Sequence, residues 1–552
     1  MSASNKKKMR KEHFASAMTE KQQAANKEAK KLRTMTISFI VVIALILGAF
    51  AYITVDGVLT KLAVYETNTI IANIDGNDLN MIDFTYYYID AVESYYNNVY
   101  ETYTTSTELM LASVNLDLSG DLTKQTNPNT NESWFDYFAK QALNNAKADF
   151  ALCKLAEADA EFDASEAVSS SVTTAETNLN FYAMYTGYGS VENYLRNKYC
   201  NGANLDNYKE YVTRSVTASE YYNDHLESLS YTDADYRKYE ADNYNMFSSY
   251  NFASYTLGYT SFLEGGTEDE KGNKTYSDEE KAAARQALKE AAEKLAECTS
   301  VEELDAAIAA LPFNEGKDVS SYKNTAVLNE SLKEVYADWL GAADRVEGNT
   351  KAFPVETTTK DADGNETTIV ESYTIVTYQG TIENLMHLAD VRHLLVKVEA
   401  TGEDDEGNKI TTVGDKENAR EEASELYTQW LAQGGTEEQF IELVKKESDD
   451  GSASTGGLFE DITPDSSYVA EFRNWAMDPE RQKGDCEIIE SEHGYHIMYF
   501  VGHDEMTYRD YMIDNTMKNE AMEKWYETAL DSVTAEFKEI NKLDKVVADN
   551  LI

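Results

Sequence analysis

Two short stretches in the last third of the sequence decide the fold. Residues 392–397 read Arg-His-Leu-Leu-Val-Lys, and residues 491–497 read Ser-Glu-His-Gly-Tyr-His-Ile. Both contain a run of apolar, strand-forming residues that includes one histidine, His393 in the first and His496 in the second. We therefore predict two strands. A single histidine in a strand is more often a core residue than a catalyst, so its meaning depends on the segments between the strands.

Three segments lie between these strands, of which two are polar or glycine-rich and one carries two aromatic residues. Residues 448–453 read Ser-Asp-Asp-Gly-Ser-Ala, Gly456-Gly457 follows, and residues 468–472 read Tyr-Val-Ala-Glu-Phe. Taken singly, Asp450 in its Asp-Asp-Gly run indicates a turn, and the two aromatic residues indicate core positions.

In this order, the five segments resemble the parvulin (PpiC-type) peptidyl-prolyl isomerase domain over about residues 386–503. Its usual signature is a strand like His-Ile-Leu-Val, a Ser-x-Asp-x-Ser-Ala segment, a Gly-Gly turn, a hydrophobic position held by Phe, and a final Gly-Tyr-His-Ile strand. The resemblance implies an isomerase of prolyl peptide bonds that uses neither a cofactor nor a metal.

The resemblance also implies roles for individual residues. It assigns a catalytic set, in which paired core histidines lie beside a carboxylate near the substrate amide: His393, His496 and Asp450. It assigns a substrate-binding set, which lines the proline pocket or precedes the last strand: Leu458, Tyr468, Phe472 and Ser491.

The chain departs from the family signature at two places. Tyr468 stands where the family often has Met, and the turn is shortened to Gly456-Gly457-Leu458-Phe459. These departures leave the shape of the pocket and the substrate preference open.

Charge predicts the topology of the chain. The 552 residues include 49 Lys and Arg and 98 Asp and Glu, and the resulting net charge of −49 makes nucleic acid an improbable partner. Residues 1–33 nevertheless carry ten basic and three acidic side chains, and Thr34–Val55 is uncharged and long enough to cross a bilayer. We expect a membrane anchor with a cytoplasmic basic segment and an extracytoplasmic bulk. A signal peptide cleaved after Ala51 and a buried core helix are the alternatives.

An internal repeat is visible upstream of the histidine strands. Gly-Asn-Lys recurs at residues 272–274 and 407–409, Trp339 aligns with Trp475, and both copies end in an alternating strand. We infer a duplicated α/β module. The first copy, residues 246–380, has no histidine and carries Thr374 in the place of His496. We therefore expect it to bind peptide or act as a spacer.

The flanks carry a second resemblance. Residues 70–76 read Ile-Ile-Ala-Asn-Ile-Asp-Gly before a helix, and residues 191–195 read Val-Glu-Asn-Tyr-Leu. Both are similar to the amino-terminal chaperone domain of the SurA and PrsA foldases. In those families a carboxyl-terminal helix completes the chaperone domain, which implies the same role for the long helix predicted at residues 507–539.

The expected fold class is α+β, with a single transmembrane helix, a mainly helical chaperone domain and two parvulin-like modules, the first degenerate. The expected parts are a basic segment (1–33), an anchor (34–55), a helical chaperone domain (69–245), a degenerate module (246–380), an isomerase domain (386–503) and a closing helix (504–552).

The expected function is an extracytoplasmic foldase that isomerises prolyl bonds and acts as a chaperone on unfolded or newly exported polypeptides. A second copy of the chain is a candidate partner in a homodimer. The alternative is a non-catalytic holdase or scaffold. Four cysteines without metal-binding spacing are expected to be free thiols (Cys153, Cys200, Cys298 and Cys486).

Overall fold

The computed structural model describes residues 65–102, 113–243, 245–360, 366–403 and 409–543. The predicted basic segment, the predicted anchor and the Ala51 cleavage position lie outside these ranges. Within the described ranges, no helix has both the length and the apolar character needed to cross a membrane. The chain forms two compact units, here named the sheet unit (residues 231–516) and the helical unit (the described residues before 231 and after 516).

The strands, in chain order, are β1 (Ile70–Ile74), β2 (Asn77–Asn80), β3 (Ser249–Gly258), β4 (Thr267–Glu268), β5 (Lys274–Thr275), β6 (Tyr322–Leu328), β7 (Thr350–Lys360), β8 (Glu366–Ile382), β9 (His387–Lys397), β10 (Gly402–Glu403), β11 (Lys409–Ile410), β12 (Leu458–Ile462), β13 (Cys486–Ser491), β14 (Gly494–Thr507) and β15 (Ala535–Phe537).

The main helices are α1 (Met81–Thr102), α2 (Trp134–Ala158), α3 (Ser165–Tyr185), α4 (Val191–Lys198), α5 (Leu205–Ser228), α6 (Asp233–Asp242), α7 (Asp278–Leu295), α8 (Val301–Ala309), α9 (Glu334–Leu340), α10 (Val413–Ala432), α11 (Glu437–Glu447), α12 (Ala470–Ala476) and α13 (Tyr508–Asp531).

The helical unit packs α1 to α5 around an aromatic core, and the end of α13 packs in a separate cluster against α2 and α5. Four large aromatic side chains are fully buried in this core: Tyr86, Tyr88, Trp134 and Phe138. Each of them removes a large apolar area from water. The predicted helix over 507–539 is too long, because α13 ends at Asp531. The chain after it forms β15, which pairs antiparallel with β1 in a three-stranded sheet. The backbone N–H and C=O groups of this segment are hydrogen-bonded to β1 in place of a continued helix.

The sheet unit contains two four-stranded antiparallel sheets with one topology. The first sheet module (residues 249–382) has the strand order β6-β3-β8-β7, and the second sheet module (residues 387–507) has the order β12-β9-β14-β13. In both, the first strand is followed by a short hairpin and two helices, and a third short helix precedes the last hairpin.

Local sequence explains where the module helices begin. Ser277 caps α7 in a reciprocal capping box with Glu280, as the Ser-x-x-Glu pattern predicts, and Thr412 caps α10 in the same way with Asp415. The helices α10 and α11 then cover one face of the second sheet, where they bury Leu394 and Ile497. The opposite face, which packs on α12, carries the histidines.

All four cysteines are free thiols. Burial raises the pKa of three of them to about 12, which keeps these thiols in the unreactive protonated form: Cys153, Cys200 and Cys486.

Candidate active site

Adjacent central strands bring the two histidines together. His393 on β9 lies opposite Met498, and His496 on β14 lies opposite Leu395, so the histidines are diagonal neighbours on one sheet face. Their Nδ1 atoms are 3.0 Å apart, and their rings are nearly parallel with centroids 5.2 Å apart. With 3% and 4% of their surface exposed, both imidazoles belong to the floor of the site.

A carboxylate lies beside this pair. Asp450 follows a segment that runs along β9, where the Ser448 hydroxyl accepts a hydrogen bond from the backbone N–H of Leu395 at 3.1 Å. The Asp450 carboxylate accepts hydrogen bonds from the backbone N–H and the hydroxyl of Ser452, at 2.8 and 2.5 Å. These bonds hold its Oδ1 atom 3.4 Å from Nε2 of His393.

Electrostatics keeps this carboxyl group ionised. Burial by itself would raise the pKa of Asp450, but the adjacent His393 and the hydrogen bonds from Ser452 outweigh burial and lower that pKa. For His496, burial and the neighbouring histidines lower the pKa to about 3, so this imidazole is neutral at physiological pH.

Hydrogen bonds link the two imidazoles to each other and to Ser491. The Asp450 carboxylate only accepts hydrogen bonds, and its Oδ1 atom faces Nε2 of His393, which has no hydrogen-bond partner among the described residues. The two Nδ1 atoms share one hydrogen, so one imidazole donates and the other accepts. Nε2 of His496 forms a hydrogen bond with the Ser491 hydroxyl, 2.7 Å away. The series from Ser491 to His393 therefore couples the two tautomers.

Three aromatic side chains pack against the histidines, at the place where the sequence resemblance predicts the proline pocket. The Phe472 ring is perpendicular to the His393 ring, with centroids 5.2 Å apart, and Phe459 makes a similar contact at 4.9 Å. Tyr468 contacts both phenyl rings, each at 5.3 Å. The cluster is an apolar surface beside polar ring nitrogens, which suits an amide attached to an apolar ring.

Phe459 occupies the place in the pocket that the sequence comparison assigned to Leu458. In the pairing of β12 with β9, Leu458 lies opposite Arg392 and Phe459 opposite Val391. Because side chains alternate along a strand, Leu458 points to the helix-covered face and Phe459 to the histidine face. The shortened glycine turn accounts for the difference of one residue. The signal that identifies Phe459 is the alternation of side chains in the β9–β12 pair, because Phe459 lies opposite Val391, which shares a sheet face with His393.

The turn also explains why two glycines precede this strand. Gly457 has φ +67°, and a Cβ atom there would lie 2.2 Å from the backbone oxygen of His393. Its carbonyl accepts the backbone N–H of His393 at 3.0 Å. Only glycine allows β12 to approach β9 this closely.

The other sequence-predicted site residues lie at the histidine pair, and a third histidine, His493, lies outside it. Asp450, Tyr468, Phe472 and Ser491 all contact or adjoin the histidine pair, as described above. His493 is about half exposed and reaches the site only through its backbone N–H, which donates to the Ser491 hydroxyl at 3.1 Å.

The first sheet module has different side chains at the corresponding positions. Ser254 takes the position of His393, since it lies opposite Val376 as His393 lies opposite Met498. Thr374 takes the position of His496, since it lies opposite Thr256 as His496 lies opposite Leu395. Asn324 stands in the position of Phe459, and its amide donates to the Ser254 hydroxyl at 2.9 Å. These corresponding positions are polar and hold no imidazole, although Phe252 and Val376 on the same face belong to a hydrophobic core.

Comparison with known proteins agrees with this division. The family model described as the rotamase, PpiC-type PPIase domain, matches residues 393–502. No curated protein matches the chain.

Solved structures similar to the chain include peptidyl-prolyl isomerases. Peptidyl-prolyl isomerase ESS1 from Candida albicans is 19% identical over 27% of this chain and 95% of its own, with a TM-score of 0.17. PrsA from Bacillus anthracis is 20% identical over 27% of this chain and 59% of its own, with a TM-score of 0.16. PrsA from Bacillus subtilis is 21% identical over 30% of this chain and 51% of its own, with a TM-score of 0.17.

The family match contains both histidines, the carboxylate and the aromatic pocket, and it leaves the first sheet module and the helical unit outside. Residues 393–502 are therefore a PpiC-type peptidyl-prolyl isomerase domain within a longer chain.

Proposed function

We propose that this chain is a membrane-anchored, extracytoplasmic foldase whose second sheet module isomerises prolyl bonds in exported polypeptides. The observation that carries the isomerase part is the His393–His496 pair beneath the pocket of Phe459, Tyr468 and Phe472, within the residues that match the family model. No cofactor is required by this chemistry.

Catalysis follows from the shape and polarity of the site. Rotation about a peptide bond has a barrier of about 18–20 kcal/mol, because resonance keeps the amide planar. The aromatic pocket holds the proline ring, and the apolar surroundings reduce the charge separation that resonance needs. The fixed imidazoles and the ionised Asp450 form a rigid polar floor that fits the twisted amide better than either planar form.

The test is the rate of cis–trans exchange in a proline-containing peptide. We expect the purified protein to accelerate it and His393→Ala to lower kcat/KM about tenfold or more, a loss of at least about 1.4 kcal/mol of transition-state stabilisation. Ser254→Ala, at the corresponding position of the first sheet module, is the matched control and should leave the rate unchanged. Activity that survives His393→Ala in a folded protein contradicts the assignment.

A chaperone role is supported by an apolar patch on α3. Phe181, Met184 and Tyr185 are 60%, 80% and 62% exposed, and the two aromatic rings are stacked with centroids 5.8 Å apart. Exposed apolar surface of this kind is available to unfolded chains. We expect the protein to suppress aggregation of an unfolded client, and Phe181→Ser with Met184→Ser to weaken that suppression while isomerase activity is kept.

The location is proposed from charge and hydropathy. The basic residues 1–33 and the uncharged Thr34–Val55 favour an anchor with the remaining chain outside the cytoplasm. Protease added to intact cells or right-side-out vesicles should digest residues after the span and spare the amino terminus. Protection of the whole chain would reverse this topology.

A non-catalytic role is favoured only for the first sheet module. It has polar side chains at the positions that correspond to the imidazole pair and Phe459, namely Ser254, Thr374 and Asn324. We propose that this module binds polypeptide or sets the distance between the other parts of the chain.

A further inference from the structure

The helical unit contains a groove that the proposed isomerase activity does not use. Its volume is about 950 Å³, and it lies between α2, α5, the segment that leads into α3, and Val533. We name it the helical groove and define it by Phe150 and Glu157 of α2, Glu210 and Arg214 of α5, and Val533. This size accommodates a few side chains of an extended polypeptide.

Part of the groove lining is apolar. Phe150, Phe162, Val168 and Val533 contribute side chains from four separate segments. These side chains provide hydrophobic contact, but they do not form a cavity that is shaped for one small molecule. The lining therefore fits varied apolar residues of an unfolded chain.

The basic side chains of the groove already have partners. Lys154 forms an ion pair with Asp75 at 2.7 Å, and Lys209 forms one with Glu176 at 2.6 Å. The Arg214 guanidinium lies 4.5 Å from the centre of the Phe150 ring and donates to the Tyr87 hydroxyl at 3.4 Å. Each of these three cations therefore already has a partner among the described residues.

The acidic side chains are in excess. Glu157 and Glu210 line the groove, are exposed, and form no ion pair with any residue that the structure describes. Behind them, Asp83 and Asp149 share the single cation Arg214, and burial raises the pKa of Asp149 to about 6. The electrostatic potential in the groove therefore favours a positively charged group.

We propose that the helical groove binds segments of unfolded polypeptide in which lysine or arginine lies beside large apolar residues. The apolar lining takes the hydrophobic side chains, and Glu157 and Glu210 pair with the cations. This inference rests on the proposed foldase function and names the class of client that the helical unit prefers.

The test uses the full-length protein and three labelled, unstructured peptides of equal length and apolar content, one basic, one neutral and one acidic. None contains proline, so the result does not depend on isomerase activity. In fluorescence anisotropy at low salt we expect the basic peptide to bind about tenfold more tightly than the acidic one, the range that two exposed ion pairs provide. Added salt should reduce the difference.

The double variant Glu157→Gln with Glu210→Gln should lose most of this discrimination and still bind all three peptides. The control variant Glu192→Gln with Asp206→Asn changes charge equally at two exposed positions outside the groove and should behave as the unmodified protein. Thr213→Trp, which fills the groove, should weaken the binding of all three peptides. Equal binding of the three peptides, or unchanged binding by folded Thr213→Trp, overturns the proposal.

Discussion

The two sheet modules place different side chains on one framework. The backbone N–H of Gly348 donates to the carbonyl of Tyr378 at 2.8 Å, and the backbone N–H of Gly484 donates to that of Phe500 at 2.9 Å, so these positions correspond. The cores correspond as well, with Trp339 and Trp475 packed on the same sheet face. Conservation of the framework without the histidines indicates that packing and chemistry depend on separate sets of residues.

The largest expected effect concerns the corresponding glycines. Both have positive φ, but a Cβ atom on Gly348 would lie 2.0 Å from the backbone oxygen of Thr299, while on Gly484 the nearest atom is the Tyr499 hydroxyl at 3.9 Å. We expect Gly348→Ala to destabilise the protein by about 3 kcal/mol or more, because a backbone clash adds to the strain, and Gly484→Ala by about 1 kcal/mol. Urea unfolding of both variants measures the difference.

Equal losses in the two glycine variants would show that the close approach at Gly348 is relieved by movement of the loop that contains Thr299. Hydrogen exchange read separately from the peptides of each module locates the change. The loss in Gly348→Ala should be confined to the first sheet module, so isomerase activity should remain.

A second difference between the modules is a carboxyl cluster at one end of the second sheet. Asp390, Asp461 and Asp504 have carboxylate oxygens within 4.8 Å of one another, and Oδ2 of Asp504 is buried without a hydrogen bond. Desolvation, together with Asp390, Asp461 and Glu460, raises the pKa of Asp504 to about 7. In the folded state this carboxyl therefore keeps its proton to a higher pH than a free aspartate does.

The first sheet module has uncharged residues at the corresponding positions. The Asn251 side chain accepts the backbone N–H of Ala326 at 2.8 Å, as Asp390 accepts that of Asp461 at 3.0 Å. Ile382 follows Gly380 by two residues, as Asp504 follows Gly502. The same turn is thus built with titratable side chains in one module and without them in the other.

This comparison predicts a pH-dependent stability in the second sheet module alone. The folded pKa of Asp504 lies above its unfolded value of 3.8, so its contribution is complete below about pH 4 and is lost as pH rises through 7. Hydrogen exchange should show the second module weakening between pH 5.5 and pH 8 and the first module unchanged. Asp504→Asn should remove the slope. A slope that persists in this variant assigns the effect to other groups.

The sequence predicts those parts of the fold that depend on local pattern. The two histidine strands and the Ser277 capping box follow from residue type and spacing. The order of the motifs identifies the isomerase domain. These features require only neighbouring residues, so they are readable without knowledge of which strands pair.

Features that depend on long-range pairing were not predictable in the same way. β15 joins β1 across most of the chain, and the local sequence after Asp531 resembles a continuing helix. The choice between Leu458 and Phe459 depends on how β12 registers against β9. The three aspartates of the carboxyl cluster are far apart in sequence and meet only when β9, β12 and β14 are adjacent.

The register of β12 gives the next prediction, a change in activity. Phe459→Ala removes a ring that contacts His393 and Tyr468, and we expect kcat/KM for a proline peptide to fall about tenfold, or about 1.4 kcal/mol. Leu458→Ala, on the opposite face of the same strand, is the matched control and should preserve activity. A larger loss from Leu458→Ala would mean that the strand pairs one residue out of register.

The smallest expected effect is at Ser491, which contacts the histidine pair from the end of β13. Its hydroxyl bonds Nε2 of His496 at 2.7 Å, and Val355 takes the corresponding place in the first sheet module. Ser491→Ala leaves the pair in place but removes the hydrogen-bond partner of Nε2 of His496, a cost of about 1 kcal/mol that should lower kcat/KM by about fivefold. Ser491→Thr keeps the hydroxyl and should restore most of the rate. If the alanine variant is fully active, the hydrogen bond between the two imidazoles is sufficient to orient them.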